Sequence, residues 1–141
     1  MHCLRPLVGA IVLVINIYHP AQAQQELAVL RSSSVNLGAQ QTFASPYQQL
    51  IKCTREATAA AGFSVELCER VSDGVYMILG RKTVGSYRYG EVIRVLAIRK
   101  TSSQSELRLL VRQPVFSKVD GNTCSEEIVE DVRSRLSSVS A

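Results

Sequence analysis

The sequence has no tryptophan and few other aromatic residues, three Phe and five Tyr in 141 residues. Single-stranded nucleic acid is gripped largely by stacking on aromatic rings, so the net charge of +4 does not by itself point to nucleic acid as a partner. Histidine is scarcer still, with only His2 and His19, both close to the N-terminus. The residue most used as a general base near neutral pH, and as a metal ligand, is therefore missing from everything after His19. No Cys-x-x-Cys occurs among the four cysteines, which removes a thioredoxin-like redox site and a zinc knuckle. A membrane-spanning helix needs about 20 apolar residues. The apolar stretch from Leu7 to Ile17 is roughly half of that and contains Asn16, so no transmembrane anchor is expected. Glu66 and Glu69 point to opposite sides of a strand and make no converging carboxylate pair. Gly80, Gly85 and Gly90 match no phosphate-cradling spacing. No catalytic residue, metal site or cofactor is assigned.

What the N-terminus does contain is an export pattern. Arg5 gives a positive start, Leu7 to Ile15 an apolar run, and Asn16, His19 and Pro20 a polar exit. Ala21-Gln22-Ala23 then supplies a small-x-small cleavage site. Residues 1–23 are expected to be a cleavable signal peptide, cut at about Ala23, with the mature chain periplasmic or secreted. Cys3 precedes the apolar run and cannot serve as a lipoprotein cysteine. Both histidines leave with the leader, so hydrolysis built around His is excluded on this reading.

The remaining cysteines, Cys53, Cys68 and Cys124, are disulfide candidates, because an oxidising compartment favours pairing two of them. The third is then a free thiol or an intermolecular link. Spacing slightly favours Cys53 with Cys68, while Cys68 with Cys124 or no bridge at all remain open. Alternation points Cys68 away from the preceding helix, which weighs against the first.

Residues 24–44 are rich in Gln, Ser and Ala and form an irregular lead, with at most a short strand or helix turn at Leu27 to Leu30. A single α+β domain follows over 45–138. Ser45-Pro46 opens a helix and Gly62 closes it. Its inward stripe is Tyr47, Leu50, Ile51, Thr54, Ala57, Thr58 and Ala61. The period then changes to two: Phe63, Val65, Leu67 and Val71 share a face, and Ser72-Asp73-Gly74 turns the chain into Val75, Met77 and Leu79. A third strand runs from about Glu91 to Lys100 and a fourth from Glu106 to about Ser117, frayed near Pro114. Thr123 and Glu126 stand at capping-box spacing before a last helix with Ile128, Val129, Val132 and Leu136 inward. The expected fold is helix, four-stranded antiparallel meander, helix, with both helices on one sheet face.

Pairing the third and fourth strands across Thr101 to Ser105 sets Lys100 against Glu106, Ile98 against Arg108, Leu96 against Leu110 and Arg94 against Arg112. Ile93, Val95, Ala97, Leu107, Leu109 and Val111 then form the core face. The other face is mixed, with Leu96, Ile98 and Leu110 at its centre, Tyr76 and Ile78 beside them, and Arg94, Arg108 and Arg112 at the border. Small domains rarely leave such a patch bare. Arg94, Leu96, Ile98, Arg108, Leu110 and Arg112 are the candidate binding site, for an envelope protein or a second copy. Folding of residues 24–44 over the face in cis is the competing arrangement. Arg94 opposite Arg112 favours an anionic group nearby.

Together these features describe an exported, non-enzymatic interaction module of the bacterial cell envelope. The alternatives are a thiol enzyme or redox protein using Cys124, whose place near a helix N-terminus can lower a thiol pKa, and a small-ligand carrier.

Overall fold

The computed structural model describes residues 24–82, 90–112 and 121–140. Residues 1–23, expected to be a signal peptide, Tyr87 and Tyr89, the stretch around Pro114, and the side chain of Thr123 lie outside the described residues.

The fold is α+β, with five antiparallel strands and three helices among the described residues. A helix over residues 24–32, α1, leads to β1 (Ala39–Phe43), α2 (Tyr47–Ala60), β2 (Ser64–Ser72), β3 (Val75–Arg81), β4 (Val92–Arg99), β5 (Ser105–Arg112) and α3 (Gly121–Ser140). The sheet order is β1-β5-β4-β3-β2. Strands β2 to β5 form the expected meander, and β1 extends it beside β5, with Gln41 opposite Leu107. The lead is thus neither irregular nor outside the sheet. Its strand, Ala-Gln-Gln-Thr-Phe, lies at an edge with only Phe43 buried, so it shows no apolar alternation.

Helices α2 and α3 share one sheet face and enclose the larger core. Leu50, Ala57, Ile128 and Val132 pack there against Ile78, Ile93, Val95, Ala97, Leu107 and Leu109. Thr54 and Thr58 are also buried on α2, and Thr58 settles its hydroxyl on the Thr54 carbonyl one turn back, at 2.7 Å. Pro46, not Ser45, is the N-cap residue of α2. Ser45 is buried instead, its carbonyl accepting from the Ser105 hydroxyl at 2.7 Å. Gly62 ends the helix with φ +96°, a left-handed conformation that favours glycine.

Two expected details differ. Arg99 pairs with Ser105, so Ile98 faces Glu106, Leu96 faces Arg108, Arg94 faces Leu110 and Val92 faces Arg112. The register is two residues away from the expected one, which preserves the faces but removes the Arg94–Arg112 opposition. The cause is a tight loop in which Lys100 and Thr101 N–H both donate to the Gln104 carbonyl. The second difference is in β2, where a bulge between Val65 and Leu67 inserts a residue and reverses the alternation. Leu67 therefore packs with Met77 and Leu79, while Cys68, with Tyr76 and Ile78, turns toward the α2 and α3 side.

Candidate binding face and the residues around it

The opposite sheet face carries a second, smaller apolar cluster of Leu30, Met77, Leu79, Val92 and Leu96, with Leu27, Val75, Ile98 and Leu110 packed around it. Leu27 and Leu30 come from α1, so the chain's own lead covers this face. Leu30 and Leu96 are fully buried there.

The arginines of this face bind the lead as well. Arg94 is 1 % exposed and has no carboxylate partner among the described residues. Its Nη1 donates to the carbonyls of Leu30 (2.9 Å) and Ser33 (2.6 Å), and its Nη2 to those of Ser34 (2.8 Å) and Leu37 (3.4 Å). Leu30 and Ser33 lie at the C-terminal end of α1, the negative end of its dipole, and the Leu30 and Ser34 carbonyls also accept from the N–H groups of Ser33 and Leu37. Burial lowers the Arg94 pKa from its ordinary value, while the carbonyl fork supplies partners for the charged form. Arg108 donates to Glu106 (2.7 Å), the Val35 carbonyl (3.0 Å) and Asn36 Oδ1 (3.1 Å). Arg112 pairs with Glu26 at 2.7 Å and, from α1, Arg31 pairs with Glu69 at 2.9 Å.

The serine run helps to stop α1. Ser32 and Ser33 hydroxyls return to the carbonyls of Ala28 and Val29, at 3.0 and 2.6 Å. Ser34 Oγ accepts from the Asn36 N–H. This competition with the helix backbone is what serine does at helix ends.

All six candidate residues, Arg94, Leu96, Ile98, Arg108, Leu110 and Arg112, therefore gather against the lead, whereas Tyr76 and Ile78 belong to the other face. Glu26 and Arg31 on α1 were not singled out from the sequence. Their only signal is opposite charge to Arg112 and Glu69, far away in the chain.

Cys53, Cys68 and Cys124 are free thiols in the structure. Cys124 is buried on α3 and donates to Glu91 Oε2 at 2.9 Å. Burial, and then the hydrogen bond to Glu91, push its pKa up to about 11. A nucleophilic cysteine needs the thiolate, and this site holds the thiol. The folded state keeps that proton where an unfolded thiol, with an ordinary value of 9.0, releases it. Its contribution is complete below about pH 9 and lost as pH rises toward 11. The expected loss is on the order of 2 kcal/mol. Cys53, raised by burial, loses stability in the same direction. Urea unfolding of the wild type and Cys124→Ala at pH 8 and pH 10.5 measures it; the variant is expected to show the smaller alkaline drop.

A surface cleft of about 490 Å³ lies where Ser45, Pro46 and Gln49 meet Arg133, Leu136 and Ser137. Another of about 440 Å³ lies between α2 and β2, lined by Lys52, Arg55, Glu56, Ala59 and Val65. Among the described residues no three His, Cys, Asp or Glu side chains converge as metal ligands. No described helix is long and apolar enough to cross a membrane.

The chain matches no protein-family model and no curated protein. Among solved structures it is similar to the di-domain ARO/CYC StfQ from the steffimycin biosynthetic pathway, at 13% identity and a TM-score of 0.38. The match covers 69% of this chain and 43% of that one, less than half of the other protein's length. A likeness this distant carries no argument about activity.

Proposed function

We propose that the protein is an exported, non-enzymatic interaction module of the bacterial cell envelope. The observation that carries this reading is the lead segment itself. One sheet face holds residues 24–37 in place with Arg94, Arg108 and Arg112 and a dedicated apolar cluster. On the same segment Val29, Val35 and Leu37 are exposed. Three large apolar side chains kept in water on a pinned segment favour a protein contact. The binding face thus works through the segment it presents, and its own basic residues set that segment's position. The export pattern of residues 1–23 supplies the compartment.

Two measurements test this reading. N-terminal sequencing of the protein from a periplasmic extract is expected to begin at Gln24; an uncut chain retained in the cytoplasm would sink the export component. Envelope proteins captured by the wild type are expected to be lost from Val29→Glu/Val35→Glu/Leu37→Glu, with the thermal midpoint unchanged because all three sites are exposed. Equal capture by both would remove the lead as the working surface.

A further inference from the structure

Strand β2 is one end of the sheet, hydrogen-bonded to β3 alone. None of its nine residues is buried, and among the described residues no strand pairs with its outer edge. Its sequence, Ser-Val-Glu-Leu-Cys-Glu-Arg-Val-Ser, complements itself when reversed. Laid antiparallel on a second copy about Cys68, Ser64 meets Ser72, Val65 meets Val71, Glu66 meets Arg70, Leu67 meets Glu69, and Cys68 meets its own counterpart on the axis. Every correspondence but the central one occurs twice, as an isologous interface requires. Opposite charges and paired β-branched residues are the combinations that stabilise directly facing positions on adjacent strands.

We propose that β2 pairs antiparallel with β2 of a second copy, about a two-fold axis at Cys68, joining two five-stranded sheets into one. The occupant is argued from charge and exposure on the strand. Val65 and Val71 are 37 % and 48 % exposed, and each meets the other's equivalent. Glu66 and Arg70 hold only partly exposed local partners, Arg81 at 3.3 Å and Asp73 at 3.0 Å, and such pairs exchange at little cost. From Leu67 to Arg70 the strand keeps regular register with β3, so the edge is straight at the axis, and Glu66 and Val71 sit at the irregularities to either side. Val65 lines the cleft between α2 and β2, which places the partner's Val71 at its mouth. Arg31 of α1 reaches β2 at Glu69, but the dimer is tested at Glu66, Cys68 and Arg70 and the lead-mediated contact at Val29, Val35 and Leu37, so the two fail distinguishably.

Facing residues of an antiparallel pair have Cα atoms about 4.5 or 5.5 Å apart, and both separations fall within disulfide range. The two Cys68 thiols of the dimer are therefore placed to oxidise. Each loses a proton, and two electrons pass to a disulfide oxidant, protein or low-molecular-weight, which leaves as its dithiol.

The test uses the full chain, produced with its leader and recovered without reductant. Sedimentation velocity in reductant is expected to show a reversible dimer, and peptide mapping of the oxidised protein a Cys68–Cys68 link. Cys68→Ser abolishes the link and keeps the reversible dimer. Glu66→Arg, which turns both charge pairs repulsive, is expected to weaken the dimer about tenfold; Glu66→Arg with Arg70→Glu restores it. A wild type monomeric at all concentrations, a link through Cys53 or Cys124, or charge variants with unchanged association would overturn the proposal.

Discussion

Arg94→Met is expected to lower the unfolding free energy by about 3 to 5 kcal/mol, the range for removing one partner from a buried, charge-assisted network. The volume of the side chain is roughly kept, so the loss comes from carbonyls. Those of Leu30, Ser33, Ser34 and Leu37 all accept from this guanidinium; the substitution strands those of Ser33 and Leu37 and leaves Leu30 and Ser34 with one backbone donor each. Arg94→Lys keeps the charge but not the planar fork, and is expected to recover less than half of the loss. Urea unfolding measures the energies, and limited proteolysis locates them, with first cleavage in the variant falling between residues 24 and 38. A loss under about 1 kcal/mol would mean that water replaces the guanidinium without cost.

Gly38→Ala carries the second large effect, about 3 kcal/mol or more. Gly38 has φ +110°, and a Cβ built there comes within 2.5 Å of the Leu109 carbonyl oxygen, a backbone atom that cannot rotate aside. Relief requires β1 to draw back from β5, so loss of pairing is added to backbone strain. Thermal unfolding combined with hydrogen exchange separates the two. The amides of β1 and the facing part of β5 are expected to lose protection ahead of those in β3 and β4. A variant with wild-type stability would show that the approach of Gly38 to β5 is looser than described.

The parts legible in the sequence were those where one residue pattern had one physical meaning. Ile93, Val95 and Ala97 against Leu107, Leu109 and Val111 are apolar throughout, so a slip of two residues leaves the core face intact. The same tolerance hid the true register, because Ser105 resembles the loop before it, yet is buried and bonded to Ser45. The bulge at Glu66 carries no Gly or Pro to announce it, and without it the faces of Leu67 and Cys68 are assigned the wrong way round. What holds the described part of α1 against the sheet is Arg94, 64 positions further along from Leu30. The anionic group suggested by the arginines is met within the chain by Glu26, Glu106 and backbone carbonyls. A carbonyl belongs to every residue, so its part in a binding face leaves no mark on composition.

The sheet order places the first strand of the chain beside the last. β1 meets only β5, Leu30 waits on Arg94, and Glu26 waits on Arg112. Synthesis runs from the N-terminus, so residues 24–43 emerge first and find their places last, after the meander they dock on is complete. Contacts so distant in the chain require long loops to close and are slow to form. Throughout that interval the N-terminal portion stays extended and open to whatever handles the emerging chain.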